Sequence, residues 1–179
     1  MQAPVVFSSS YESLRRVLGD RLDADFAAKL KAQGVDLRAI NPAYPYETWV
    51  QSLELTMAKL WPGVPRAEAT YNLGREMFES FGHTLLGKAL LQMLRVLGPN
   101  RGLQRMTRNL RTSNNYSDTK LTQKGPTAWE LWINLVAFPH YYRGLVECGL
   151  QHSGAKNVQV EILSHTPNGA AVLLIAWSA

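Results

Sequence analysis

The sequence predicts an α+β domain, an N-terminal bundle of about six helices packed on a four-stranded antiparallel sheet of ββαββ order. Three observations predict it. Apolar residues recur at helical spacing from Ser8 to about Arg111, with glycine or proline stops between segments. After Ser113-Asn114-Asn115 the period changes to alternation, interrupted by a single further helical stretch. Helices and strands are therefore segregated along the chain, which favours an antiparallel sheet over alternating parallel units. With 179 residues, 46% of them apolar, the chain can bury a core of its own. One domain is expected over residues 1–179, with a helical half (1–114) and a ββαββ half (115–179).

Each element has a local cause. Ser8, Ser9 and Ser10 precede a first helix, running to about Leu18, that Gly19 ends, as a residue without Cβ can at a C-terminal cap. Asp23 or Asp25 starts a second, through Phe26, Ala27 and Leu30, with Gly34 as the stop. Asn41-Pro42-Ala43-Tyr44-Pro45 is barred from helix because each proline constrains its predecessor. A third helix carries Trp49, Leu53, Met57 and Leu60, and a fourth carries Ala69, Leu73, Met77, Phe78 and Phe81. The fifth, about Thr84 to Leu97, is the most apolar, and such a helix is expected at the centre of a domain. Gly74, Gly82 and Gly87 would let neighbouring backbones approach, or are simply tolerated there. Gly98-Pro99 ends the fifth helix, and a sixth runs from about Asn100 to Arg111. Strands follow at Tyr116 to Thr122 and Trp129 to Ala137, then a helix from Phe138-Pro139 to Leu150. Val158 to Leu163 and Ala171 to Trp177 complete the sheet, with Thr166-Pro167-Asn168-Gly169 as a turn.

Charge is uneven. Residues 1–79 hold nine basic and ten acidic side chains, and residues 118–179 hold four of each. Lys88, Arg95, Arg101, Arg105, Arg108 and Arg111 lie between them without one acid, so the net +5 resides in that stretch. On the sixth helix Arg101, Arg105 and Arg108 share one face, with Arg111 at its margin and Leu103, Met106 and Leu110 opposite. Guanidinium forks suit phosphate or carboxylate, so this face is a candidate contact for an anion or an acidic protein. With no aromatic residue interleaved, it argues against nucleic acid.

The single cysteine, Cys148, excludes an internal disulfide and any multi-thiolate centre. The N-terminal stretch lacks the basic-then-apolar pattern of a secretory leader, and Pro167, Asn168 and Gly169 break the apolar tail. A cytoplasmic location is expected. Cys148 and His152 share a helix face, but Cys148 sits late in its helix, where a buried cysteine is the expected role. His140, His152 and His165 are scattered with no metal spacing among them, and His83, just before the fifth helix, reads as a hydrogen-bonded histidine at a helix start rather than a ligand or proton carrier. There is no P-loop, GxGxxG, GxSxG or HExxH, so no catalytic residue and no metal site is assigned, and the chain reads as non-enzymatic.

The succession Tyr44-Pro45-Tyr46-Glu47-Thr48-Trp49, Leu97-Gly98-Pro99 and Arg108-Asn109-Leu110-Arg111-Thr112-Ser113-Asn114-Asn115-Tyr116 resembles an uncharacterised family expanded in myxobacteria. Length and element order are also similar to the haem nitric oxide/oxygen-binding (H-NOX) domain. Vinyl-four-reductase domains and trafficking-complex subunits of Bet3 type share part of that topology. The resemblance implies a space between helices and sheet able to hold an apolar small molecule, with Leu86, Leu90, Met106 and Trp132 as candidate lining. It does not extend to haem. The haem-binding family places a histidine late in the helix before the first strand, where this chain reads Arg105-Met106-Thr107-Arg108-Asn109-Leu110-Arg111. Its Tyr-x-Ser-x-Arg signature has no counterpart in Trp132-Ile133-Asn134-Leu135-Val136. The expectation is therefore a sensory or ligand-binding domain with an H-NOX-like fold and no haem or other cofactor. The alternative is a cavity-free interaction module that docks through helix 101–111.

Overall fold

The computed structural model describes residues 2–178, apart from the side chains of Leu85 and Leu86. A short strand β1 (Val5–Phe7) leads into α1 (Ser8–Leu18), followed by α2 (Ala24–Ala32), β2 (Ala43–Pro45), α3 (Tyr46–Leu60), α4 (Arg66–Gly82) and α5 (Leu85–Asn109). Then come β3 (Thr119–Gly125), β4 (Ala128–Val136), α6 (Pro139–His152), β5 (Lys156–His165) and β6 (Gly169–Ser178). The four long strands form one antiparallel sheet in the order β3-β4-β6-β5. The expected α+β class and ββαββ half are both present.

Local chemistry explains the boundaries. The Asp23 carboxylate accepts the Phe26 N–H at 2.8 Å, capping α2. Thr84 does the same for Gly87 at 2.9 Å, opening α5. Gly98 takes φ 70° and ψ 175° inside α5, with Pro99 directly after it. The expected fifth and sixth helices are thus two limbs of one kinked element, because glycine reaches that backbone angle at no steric cost and proline suits the new helix start.

Two expectations need correction. The first limb of α5 is not central: Val96 is 87% exposed, and Ala89 and Lys88 also face solvent, while Leu94 is buried. Apolar content around a helix does not itself enforce burial: this limb turns Leu90, Leu91 and Leu94 toward the core and leaves its other side to solvent. Strand β3 begins at Thr119 rather than Tyr116, because the Asn114 side chain holds Tyr116 and Ser117 in a turn. A two-stranded ribbon of β1 and β2, which pairs Val6 with Tyr44, adds to the expected elements.

The core has two parts. One packs Tyr11, Leu14, Leu18, Leu30, Trp49, Leu53 and Leu73 among α1 to α4. The other packs α5 and α6 on the inner sheet face, with Leu94, Leu103, Leu131, Ile133, Leu173 and Ile175 fully buried. Helix α4 serves both, placing Met77 in the first and Phe78 in the second. Among the described residues no helix is long and apolar enough to cross a membrane.

Candidate ligand cavity

A cavity of about 220 Å³ lies on the seam between the two core parts. Its apolar wall combines Val6, Trp49 and Met77 from the helical core with Phe78, Leu90, Met106 and Leu145 from the sheet-facing core. Its polar wall is supplied by Ser9, Ser10 and Ser13 of α1 and by Asn109, Thr112, Ser113 and Asn114 where α5 gives way to the sheet. Tyr116, Tyr141 and Tyr142 close the remaining side. None of these lining residues is charged.

The segment that carries the family-like motif builds the polar wall. Asn114, buried, accepts the N–H groups of Tyr116 at 3.1 Å and Ser117 at 2.7 Å while its own amide donates to the Leu110 carbonyl at 3.3 Å. Asn115 accepts the Val5 N–H at 2.8 Å and donates to the Ala3 carbonyl at 3.0 Å. The Phe7 N–H donates to the Ser113 carbonyl at 2.9 Å. One short run of amides therefore ties the end of α5 to the N-terminal ribbon and to the start of β3. Asn134 reinforces it from β4, accepting the Asp118 N–H at 2.6 Å and donating to the Tyr116 carbonyl at 2.8 Å.

The tyrosines give this space its electrostatic character. Burial pushes the Tyr116 and Tyr141 hydroxyls far above the ordinary phenol range, with neighbouring tyrosines adding to the effect. Tyr46, which meets Tyr116 edge-on at 5.0 Å, is pushed up to about 12 by burial. These groups stay protonated and neutral, so the tyrosines at the cavity add hydroxyls to its lining but no charge.

The sequence-derived candidates divide. Leu90 and Met106 line the cavity. The Leu86 side chain lies outside the described residues. Trp132 faces the other side of the sheet: Leu131 and Ile133 are buried on the inner face, so alternation sends Trp132 outward, opposite Lys120 and Val172. Trp129 is the inward tryptophan, its indole N–H donating to Asn100 Oδ1 at 2.7 Å. Arg101, Arg105 and Arg108 are exposed along one face, as their spacing requires. Arg111 is engaged internally, donating through Nε to the Ser117 carbonyl at 3.0 Å and through Nη2 to Asp118 at 2.6 Å. The α1 serines and the α6 tyrosines were not identified from sequence, since neither segment stands apart by composition or spacing.

A helical half, a kinked long helix and a ββαββ half with a cavity between them define a domain of H-NOX fold. A variant of the H-NOX protein from K. algicida in its Fe(II) unliganded form superposes with a TM-score of 0.66 at 12% identity, covering 97% of both chains. An oxygen-binding H-NOX domain related to soluble guanylate cyclases gives 0.61 at 16% identity, covering 96% of this chain and 92% of that one. A third H-NOX structure, from work on the mechanism of H-NOX activation, gives 0.63 at 16% identity, with 96% and 94% covered. At such identities the likeness is one of fold. The chain belongs to the family described as protein of unknown function (DUF2378), which matches residues 4–178. No curated protein matches it.

Proposed function

We propose that this chain is a non-enzymatic sensory domain that holds a small, neutral, mainly apolar molecule in the seam cavity and works without haem. The uncharged lining carries this reading. An ionic ligand would lose its hydration there without gaining a counter-charge, whereas an apolar one gains contact with Leu90, Met106, Phe78 and Trp49. The hydroxyls and amides at the margins can satisfy one or two polar atoms of such a ligand.

The residues present do not fit haem. The lining offers no imidazole or thiol to iron and no cation to two propionates. Met106 has a thioether, but its sulfur lies against Gly149, where a Cβ would come within 2.2 Å of it. The space of about 220 Å³ is also below the roughly 300–1,000 Å³ that encloses drug-sized ligands, and haem is no smaller than those. A cytoplasmic location and a role in signalling belong to the same proposal.

Thermal denaturation with small apolar probes, benzene and indole, tests the reading. Wild-type protein is expected to be stabilised in a dose-dependent way, and Leu90→Trp, which fills the cavity, to lose that response while keeping its circular dichroism. No stabilisation of the wild type, or an equal response in the variant, would reject it.

A second reading rests on a separate observation. Arg101, Arg105 and Arg108 are exposed together and form no ion pair among the described residues. Such a face suits an acidic protein surface. Replacing all three with Glu would then abolish a salt-sensitive association without unfolding the domain.

A further inference from the structure

The geometry points to a divalent transition-metal site, of the kind zinc occupies, formed by Glu79 of α4 with Cys148 and His152 of α6. It is separate from the seam cavity and does not depend on that reading. The sequence pairs only the two α6 residues, four apart and so on one helix face. Packing of α4 against α6 adds the third.

Glu79 Oε1 stands 3.2 Å from Cys148 Sγ and 3.0 Å from His152 Nε2. One ligand atom from each of the three residues lies within 4.8 Å of the others. Zinc bonds of about 2.0–2.3 Å place tetrahedral ligand atoms roughly 3.3–3.6 Å apart in such a mixed set. The two short edges therefore need to open by only a few tenths of an ångström. A thiolate, a carboxylate and a neutral imidazole carry two negative charges, which a divalent ion cancels, and this mixed S, O, N set is one that zinc accepts.

The surroundings support a site with an open coordination position. Cys148 is fully buried, while the Glu79 and His152 side chains are 44% and 23% exposed, so the fourth position faces solvent. The Phe78 ring lies 5.6 Å from the His152 ring and limits its rotation. The neighbouring Arg75 is hydrogen-bonded elsewhere: it pairs with Glu147 at 3.6 Å and donates to Gln151 Oε1 at 3.1 Å. Tyr71 holds the same Glu147 at 2.6 Å. Glu79 is thus left to Cys148 and His152.

Because the chain has one cysteine, a sulfur-to-metal signal can have only one origin. Titration of the full chain with Co²⁺ is expected to produce a thiolate-to-cobalt charge-transfer band in the near ultraviolet, saturating at one equivalent and bleached by Zn²⁺. Loss of the band in His152→Ala and in Glu79→Gln, both altered at part-exposed positions and still folded by circular dichroism, would establish the set. No band in folded wild-type protein would overturn the proposal. So would a band that survives both substitutions, since the thiolate would then bind cobalt without these partners.

Discussion

Gly74 and Gly144 are reciprocal contacts: a Cβ on Gly74 would fall 2.1 Å from the Tyr141 carbonyl oxygen, and one on Gly144 would fall 2.2 Å from the Tyr71 carbonyl oxygen. Helices α4 and α6 therefore meet backbone to backbone. That approach sets the position of Tyr141 and Tyr142 at the seam cavity and, one to two turns further on, of Cys148 and His152 beside Glu79.

Gly74→Ala and Gly144→Ala are each expected to destabilise the domain by about 3 kcal/mol, because the clash is with backbone and cannot be relieved by a rotamer change. Gly125→Ala, where the new methyl would meet only the Ala128 side chain at 3.7 Å, is the control and should stay within about 0.5 kcal/mol of wild type. Urea denaturation measures all three.

Asn114→Ala leaves the Tyr116 and Ser117 N–H groups without their acceptor at the end of α5. A loss of about 2–3 kcal/mol is expected by the same assay, since buried donors lose hydration without replacement. Hydrogen exchange should rise first in residues 3–7 and 114–118, the segments that this amide run joins.

Burial and the hydrogen bond to the Glu79 carboxylate push the Cys148 thiol up to about 12. At pH 8 the thiolate fraction is then about one in ten thousand. A thiol-reactive disulfide reagent should leave metal-free native protein unmodified over hours and react promptly in denaturant. Rapid native-state modification would contradict this placement of the thiol.

Burial raises the Glu79 carboxyl, but its hydrogen bonds with His152 and Cys148, with Arg75 nearby, outweigh that and hold it below the ordinary value. A carboxylate lowered on folding contributes stability above its unfolded pKa of about 4.3 and loses it as the pH falls through the lower folded value. The Tm difference between wild type and Glu79→Gln should therefore be largest above about pH 5 and shrink on acidification. A difference that grows in acid would reverse the sign.

The helical half was legible because its stops are chemical: Gly19, Gly34, Pro45 and Pro65 end or begin elements wherever the backbone demands it. The sheet was legible from alternation, and the odd spacing of Trp129 and Trp132 requires opposite faces in a strand. Which of the two points inward was decided by register against β6, where Trp129 pairs with Ile175. The cavity was half legible. Leu90 and Met106 follow from an apolar helix face, but Ser9, Asn114 and Tyr142 come from three distant segments with no shared pattern. Glu79 and Cys148, 69 positions apart, meet only because two glycines let α4 and α6 close.

Native mass spectrometry of freshly purified protein, paired with its absorption spectrum, decides whether the seam holds a small molecule and no haem. The expected result is a small adduct that denaturation strips from wild type, its absence in Leu90→Trp, and no Soret band in either. A Soret band with one protoporphyrin per chain would contradict it, and so would repeated preparations carrying no adduct around a fully packed seam.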